Sequence, residues 1–229
     1  MNQKATIDFS TILASSVHDM KNSLGMLLNS LETLVEEIPP ANASQAQQFK
    51  TLQYEASRIN GELIQLLTLY RMQNQFLPMN IDEHYLNDLI EDQLARNQGW
   101  IDASDISVQV SCDDSLHWYF DVDLIGGVLH NVLVNSLRYT KSALLIEARQ
   151  EGDFLLLAVS DDGPGYPDPL LAQPSDMKDK ASVSEGSSHL GFYFAEQIAS
   201  SHKRGDVCGY IELDNRSSLG GGRFLMYLP

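Results

Sequence analysis

The sequence predicts an α+β protein, in which an N-terminal helical hairpin is followed by a sheet covered by helices on one side. Two long heptad patterns in the first third predict the hairpin, because apolar residues that alternate steps of three and four mark one face of a helix. After Arg71 the heptads stop, and short alternating segments mix with helical spacing, which is typical of an α/β layer. Leu77-Pro78 is the predicted hinge, so the predicted domains are 1–76 and 77–229.

The first heptad pattern predicts a helix that begins near Leu13 and ends before Pro39-Pro40. Ser44 is the predicted N-cap of a second helix, which carries the same alternation. The apolar positions of the first helix are Leu13, Val17, Met20, Leu24, Leu27, Leu31, Leu34 and Ile38. Those of the second are Phe49, Leu52, Ala56, Ile59, Leu63, Leu66 and Tyr70. A short turn between the two predicts an antiparallel hairpin.

Each apolar stripe is narrow, so a single hairpin is expected to leave apolar surface uncovered. Pairing two hairpins would bury that surface in a four-helix bundle, and the sequence therefore predicts a homodimer. The alternative is that the hairpin packs against the rest of its own chain.

The second part of the chain alternates helical and extended patterns. Helical spacing runs from Leu86 to Leu94, with an end near Gly99, and returns at about 122–139 and 190–202. Strands are predicted at 106–110, 144–148, 155–160, near Ile211 and at 224–228. The segment 163–188 lacks apolar periodicity and is predicted to be a long functional loop.

Composition narrows the classes of partner. The formal net charge of −16 argues against nucleic acid, because phosphate backbones select clustered lysine and arginine. Only two cysteines occur, which favours reduced thiols over a disulfide framework. The most apolar run, 63–70, is too short to cross a bilayer, and the first residues lack an apolar signal region. We therefore expect a soluble cytoplasmic protein without membrane contact.

A candidate nucleophile lies on the first predicted helix. In His18-Asp19-Met20-Lys21-Asn22 the imidazole follows the heptad position Val17, so His18, Asp19 and Asn22 are expected to point outward. An outward histidine on an amphipathic helix is most often only a solvated residue. The carboxylate of Asp19 directly beside the imidazole favours a nucleophilic role.

Two further motifs suit a nucleotide. Asn131 and Asn135 are four residues apart on one predicted helix, so both amides face the same way. An amide oxygen can coordinate Mg²⁺, and Arg138 on the next turn can add positive charge toward a triphosphate. Asp161 ends an apolar strand and could accept a hydrogen bond from an adenine amino group, while Gly163 and Gly165 let the backbone turn close to a ligand. Each motif alone is common by chance.

Together, and in this order, the three motifs resemble the catalytic core of bacterial sensor histidine kinases. Residues 18–22 resemble the H-box, residues 131–139 the N-box and residues 161–165 the G1 box, while 220–224 resemble the glycine-rich approach to the last strand. The resemblance implies a dimerisation and histidine phosphoacceptor domain over 1–76. It also implies a catalytic ATP-binding domain of the GHKL ATPase type, an α/β sandwich, over 77–229.

The resemblance also implies roles for single residues. Asn135 would hold Mg²⁺ and Asp161 would read adenine, with ATP as the bound nucleotide. Asn131 occupies the position where hydrolysing relatives of the superfamily carry a glutamate base, which fits transfer to histidine rather than to water. The remaining predicted nucleotide-binding residues are Arg138, Tyr139, Gly163, Gly165, Leu190 and Gly191.

One motif departs from the family pattern. The second glycine motif, Gly-x-Gly-Leu-Gly-Leu in the family, appears here as Ser187-Ser188-His189-Leu190-Gly191-Phe192. Two glycines that let backbone N–H groups approach phosphates are thus replaced. Gly186 could serve in part after a shift of one residue.

The implied function is a two-component histidine kinase. His18 would take the phosphoryl group from ATP and pass it to an aspartate on the receiver domain of a response regulator. Asn22 could orient a water for the reverse dephosphorylation. Only seventeen residues precede His18. If the chain is the whole protein, the input signal is expected to come from a separate sensor protein; if it is a fragment, the sensor has been cut away.

Two alternatives remain open at this point. The first is a dimeric histidine phosphotransferase that relays phosphate between receiver domains and carries a degenerate, non-functional ATP lobe. The altered second glycine motif favours it. The second is a GHKL-type protein kinase that phosphorylates serine on a partner, which would not need the His18 hairpin.

Overall fold

The computed structural model describes residues 9–74, 77–102, 104–171 and 189–229. The chain divides into two compact units, Met1–Leu77 and Pro78–Pro229, so the division falls between the two residues of the predicted hinge and one residue after the predicted domain boundary. None of the helices in these ranges is long and apolar enough to cross a membrane.

The first unit consists of two long helices that pack against each other, α1 (Phe9–Glu37) and α2 (Ala43–Gln73). The prediction that Ser44 caps the second helix is wrong. Asn42 is the N-cap, and its side-chain oxygen accepts a hydrogen bond from the Gln45 N–H at 2.9 Å. The Gln45 side chain in turn accepts a hydrogen bond from the Ala41 N–H at 2.9 Å. The N–H groups of Ala41 and Gln45, which have no partner within the helix, are therefore both satisfied by side chains at the helix start.

Replacement of Asn42 with alanine is expected to lower the free energy of unfolding by about 1 kcal/mol, because the Gln45 N–H then loses its acceptor. Ser44→Ala is the matched control and should change stability by less than about 0.5 kcal/mol, since Ser44 is an exposed residue in the first turn. Urea unfolding of both variants measures the difference. If both variants lost the same free energy of unfolding, the assignment of Asn42 rather than Ser44 as the N-cap would be contradicted.

The heptad stripe is only half covered within one chain. Val17 and Ala56 are buried, and Leu24, Leu31 and Leu63 are partly buried. The alternate positions of the same stripe remain 40–54% exposed; these are Met20, Leu27, Leu34, Leu52, Ile59 and Leu66. One hairpin therefore presents a continuous apolar row, which we call the exposed stripe.

The second unit contains five helices and nine strands among its described residues. The helices are α3 (Leu86–Arg96), α4 (Gln98–Asp102), α5 (Val122–Tyr139), α6 (Asp168–Leu171) and α7 (His189–Ser201). The strands are β1 (Asp82–Tyr85), β2 (Ser107–Cys112), β3 (His117–Phe120), β4 (Ala143–Glu151), β5 (Phe154–Asp161), β6 (Lys203–Arg204), β7 (Val207–Cys208), β8 (Tyr210–Asp214) and β9 (Arg223–Leu228).

Five of these strands form one mixed sheet in the order β2-β4-β5-β9-β8. β2 and β4 are parallel, whereas the other neighbours are antiparallel. Two small antiparallel pairs, β1-β3 and β6-β7, lie outside that sheet. The predicted α+β class is confirmed.

The helices α5 and α7 pack against the sheet and against each other. Phe192 of α7 stacks on Phe224 of β9 with ring centroids 6.5 Å apart, which identifies the face of the sheet that the helices cover. Val159 pairs with Phe224, and side chains alternate along a strand, so Val159 and Asp161 point to that same face. The carboxylate at the end of β5 is thus directed toward the helical layer.

The structure differs from the sequence expectations in several short elements. β1, β3, β6 and β7 were not predicted, and α4 continues past the expected helix end near Gly99. Within the predicted loop 163–188, residues Asp168–Leu171 form α6, and the rest of that loop from 172 onward lies outside the described residues.

Candidate nucleotide site

The side chain of Asp161 is the most firmly held predicted site residue. It is 7% exposed, and its Oδ1 accepts backbone N–H hydrogen bonds from Gly163 at 2.8 Å and from Gly222 at 3.1 Å. Its Oδ2 accepts no hydrogen bond from any described residue. One carboxylate oxygen is therefore fixed by the fold, and the other remains available to a donor on a ligand.

The main chain of Asp161 is fixed as well. Its carbonyl accepts from Ser217 Oγ at 2.8 Å and from the Gly221 N–H at 3.0 Å, and its N–H donates to the Gly222 carbonyl at 3.0 Å. A Cβ on Gly221 would lie 2.5 Å from Asp161 Oδ1 and 2.6 Å from its carbonyl oxygen. Only glycine at 221 lets the segment that precedes β9 close around this carboxylate.

Gly221→Ala is expected to destabilise the protein by about 1–3 kcal/mol, because the added methyl group meets backbone and carboxylate atoms that cannot move aside freely. Gly99→Ala is the control, since no atom lies within 4 Å of its added Cβ. Thermal unfolding measures both. A Gly221→Ala protein as stable as Gly99→Ala would contradict this packing.

The turn after Asp161 lies against the end of α5. A Cβ on Gly163 would approach the Tyr139 carbonyl oxygen to 2.6 Å, so the missing side chain permits this contact. Gly165 has a φ of +79°, the left-handed region that favours glycine, and a Cβ there would meet the Asn215 side chain. Both predicted glycines are thus required by the local backbone.

Asn215 holds the chain that follows this turn. Its Oδ1 accepts from the Tyr166 N–H at 2.6 Å, and its Nδ2 donates to the Tyr166 carbonyl at 2.9 Å. The Tyr166 ring packs edge-on against Phe192 at 5.6 Å. Burial raises the pKa of Tyr166 above its usual value, so this hydroxyl stays neutral over the physiological range.

The helix α5 supplies the predicted amides. Asn131 is partly buried, and its Nδ2 has no hydrogen-bond partner among the described residues. An orphaned buried donor is costly and is typical of a position that a ligand or water satisfies. Asn135 lies one turn further along, partly buried, and Arg138 is exposed with its guanidinium 5.3 Å from the centre of the Tyr139 ring.

The structure brings part of the altered second glycine motif to Asn131. Gly191 is buried in the first turn of α7, and a Cβ there would collide with the Asn131 amide. Leu190 is partly buried beside it. His189 begins the helix, whereas Gly186, Ser187 and Ser188 lie outside the described residues.

The predicted phosphoacceptor residues belong to the other unit. His18 lies within α1, and Asp19 and Asn22 are exposed residues of the same helix. The Asp19 carbonyl accepts a hydrogen bond from Ser23 Oγ, one helical turn further along, at 3.0 Å.

Divalent-metal ligands of the usual clustered kind are missing from the described part of the chain, where no group of three histidine, cysteine, aspartate or glutamate side chains converges. This does not argue against Mg²⁺. Mg²⁺ at a phosphate keeps several waters and takes one or two protein oxygens, so a single amide oxygen from Asn135 suits it.

Comparison with known proteins agrees with this geometry. Residues 120–229 match the family described as histidine kinase-, DNA gyrase B-, and HSP90-like ATPase. The chain is 27% identical over 217 residues to the alginate biosynthesis sensor protein KinB of Pseudomonas aeruginosa, a match that covers 93% of this chain and 35% of KinB. It spans between about a third and two fifths of the curated sensor proteins that it matches.

Solved structures share the fold. The histidine kinase AdeS of Acinetobacter baumannii superposes with a TM-score of 0.59 at 17% identity over 92% of this chain and 96% of that one. Full-length ShkA, solved in complex with AMPPNP, superposes with a TM-score of 0.62 at 15% identity over 95% of this chain and 45% of that one. These structures show that the fold is shared, and the match of residues 120–229 to the ATPase family confirms the predicted resemblance.

Sequence reasoning missed three polar residues that shape the site, namely Asn215, Ser217 and Ser142, and the last of these donates from its N–H and Oγ to the Asp162 carboxylate. Ser217 lies 56 residues from Asp161, and Asn215 lies 49 residues from Tyr166. Neither forms part of a compact motif. The only sequence signal for Asn215 and Ser217 was their position, since both are polar and lie between the strand predicted near Ile211 and the glycines that precede the last strand.

Proposed function

We propose that the chain is the catalytic core of a two-component histidine kinase, in which His18 of the hairpin unit is phosphorylated from ATP bound by the second unit. The phosphoryl group would then pass to an aspartate on the receiver domain of a response regulator. The membership of residues 120–229 in a family of ATPases supports the nucleotide, and the similarity to sensor proteins supports the kinase.

The observation that carries this proposal is the fixed carboxylate of Asp161. Its Oδ1 is satisfied by two backbone N–H groups, while Oδ2 accepts from no described residue. An adenine amino group is a donor of the kind that such an acceptor selects. The fit extends to Asn131, whose buried and orphaned Nδ2 could donate to an oxygen of the same ligand.

Asn135 is the proposed Mg²⁺ ligand. When bound, Mg²⁺ would neutralise charge on the phosphate oxygens and help to align them. Asn131 carries an amide where a hydrolytic relative would need a base, and an amide cannot remove a proton from water. This favours transfer to a protein nucleophile over hydrolysis.

At His18 the proposed step is an in-line displacement. One imidazole nitrogen forms a bond to the γ-phosphorus, the bond from that phosphorus to the β–γ bridging oxygen breaks, and ADP leaves. Asp19 would hold the proton on the other ring nitrogen and stabilise the positive charge that develops. Asn22 would orient a water in the reverse hydrolysis of the phosphoaspartate.

A homodimer is part of the proposal, and a second copy is the occupant of the exposed stripe. The stripe continues the same heptads that pack α1 on α2, and two such rows would complete the core of a four-helix bundle.

Leu27→Lys is expected to shift the protein to monomers, because it places a charge in that row. Met26→Lys is the control, since Met26 is more exposed and lies outside the row. Light scattering distinguishes the two; equal masses would contradict this interface.

Incubation of the pure protein with γ-labelled ATP and Mg²⁺ tests the proposed reaction. The expected product is protein-bound label that acid removes and alkali does not, because phosphohistidine is acid-labile. If no label forms and calorimetry detects no nucleotide, the phosphotransferase relay with a degenerate ATP lobe replaces the kinase. Acid-stable label would instead indicate phosphorylation of a serine.

A further inference from the structure

Asp162, which follows the adenine-reading candidate Asp161, makes a dense set of hydrogen bonds. Its Oδ1 accepts from the Lys141 N–H at 2.8 Å and from the Ser142 N–H at 3.1 Å. Its Oδ2 accepts from the same Ser142 N–H at 3.0 Å and from Ser142 Oγ at 2.7 Å. All the donors lie 20 or 21 residues earlier in the chain.

These hydrogen bonds connect the two elements that carry the candidate site. Residues 141–142 link the end of α5 at Tyr139 to the start of β4, whereas Asp162 follows the last residue of β5. α5 is held along its length by a buried apolar face, and the last member of that face is Leu137. The two residues after it, Arg138 and Tyr139, are exposed, and Asp162 ties the chain directly beyond them, at Lys141 and Ser142.

The tie acts together with the close approach of Gly163 to the Tyr139 carbonyl. Gly163 permits the two backbones to meet, but the absence of a side chain does not by itself hold them together. The carboxylate of Asp162 does so through hydrogen bonds from Lys141 and Ser142, two and three residues after Tyr139. The hydrogen bonds from Ser142 and Lys141 also hold the pKa of Asp162 well below its usual value, so the carboxylate is charged at neutral pH.

We infer that Asp162 is a positioning residue that sets the metal-binding end of α5 relative to Asp161. The inference rests on the proposed function, in which Asn135 binds Mg²⁺ and Asp161 binds the adenine of the nucleotide. Asp162 itself contacts neither ligand in this account. Its loss should therefore weaken the phosphate and metal end of the site more than the adenine end.

Calorimetric binding of ADP, with Mg²⁺ and separately with EDTA, tests this split. Asp162→Ala is expected to lower the affinity for ADP with Mg²⁺ by about tenfold, the usual cost of losing a residue that orients a metal ligand. The affinity in EDTA should change by less than about twofold. A general loss of structure would lower both affinities equally, which would overturn the inference, as would no change in either.

Asp162→Asn provides the rescue. The asparagine oxygen can accept from both backbone N–H groups, and its amide can donate to Ser142 Oγ. Only the second contact of the Ser142 N–H, with Oδ2, is lost, so most of the tie survives without the charge. Its ADP affinity with Mg²⁺ should return to within about twofold of wild type; a loss as large as that of alanine would overturn the geometric account.

Hydrogen–deuterium exchange gives a readout that needs no nucleotide. The backbone amides of Lys141 and Ser142 should exchange faster in Asp162→Ala and at the wild-type rate in Asp162→Asn, and unchanged exchange in the alanine variant would show that no tie was lost. If the wild-type protein binds no ADP at all, the proposed function fails and this inference fails with it.

Discussion

Asp161→Asn is expected to lower the affinity for ADP by about 100-fold or more while leaving the fold intact. The asparagine oxygen can keep the place of Oδ1 and accept from the N–H groups of Gly163 and Gly222. Its amide nitrogen then replaces Oδ2, so a donor faces the amino group of the base. Two donors cannot form a hydrogen bond, and sites built around a specific polar contact reject a mismatch strongly.

The comparison with Asp161→Ala separates binding from folding. Alanine would leave the Gly163 and Gly222 N–H groups without their acceptor in a buried turn, at a cost of about 1–3 kcal/mol for each such group. Asp161→Ala should therefore lose both nucleotide and thermal stability, whereas Asp161→Asn should lose nucleotide alone. Calorimetry with ADP and a thermal melt measure the two quantities. If the asparagine variant kept its affinity for ADP, Asp161 would not be the residue that binds the adenine amino group.

Long periodic elements were predicted well from the sequence because their signal is local. The stripes of α1 and α2 repeat over about three to four heptads, and α5 carries apolar residues on one face for 18 residues. Short elements such as β6 and β7, with two residues each, have no periodicity that could predict them. They form a local hairpin in which Lys203 pairs with Cys208 and Arg204 with Val207, and the signal for it is the turn residue Gly205, whose φ is +63°.

The same distinction applies to the candidate site. The motif residues Asp161, Gly163 and Gly165 are close in sequence, so their spacing could be recognised. The groups that fix them come from elsewhere, since Gly222 reaches Asp161 across 61 residues. Such contacts pair a polar side chain with a backbone group of a different element, and no local pattern specifies the partner.

The N-cap of α2 shows how closely a local rule can miss. Asparagine and serine both cap helices well, and the sequence offers Asn42 and Ser44 two residues apart. Gln45 decides between them, because as the third helical residue after Asn42 it can reach back to the Ala41 N–H. The capping-box pattern, rather than the single cap residue, was the informative signal.

The close packing of Gly221 and Gly191 around the candidate nucleotide site also bears on the choice between a kinase and a phosphotransferase relay. A relay protein would use only the hairpin, and selection for nucleotide binding on the second unit would then be absent. A Cβ on Gly221 would collide with Asp161, and the Asp161 carboxylate uses only Oδ1 for its hydrogen bonds to Gly163 and Gly222, which leaves Oδ2 for a ligand. Loss of two glycines from the second glycine motif leaves Gly191, the residue that contacts Asn131, in place. These contacts favour a working nucleotide site.

His18→Gln is expected to abolish the acid-labile label entirely while leaving ADP affinity unchanged. Glutamine has no ring nitrogen with a lone pair that can attack phosphorus, so the acceptor is lost rather than weakened. Nucleotide binding belongs to the other unit, whose proposed ligands are Asp161 and Asn135. We therefore expect that the His18→Gln protein takes up no label from γ-labelled ATP and binds ADP in calorimetry as tightly as the wild type.

His117→Gln is the matched control for that experiment. His117 is an exposed imidazole on β3, with its Nδ1 2.9 Å from the Ser115 carbonyl, and lies outside the proposed site. It carries the same substitution and should keep the label in full. Label that survives in His18→Gln would move the acceptor to another residue. Because the only change is at an imidazole of α1, such a result would contradict the central step of the proposed mechanism while leaving the nucleotide site untouched.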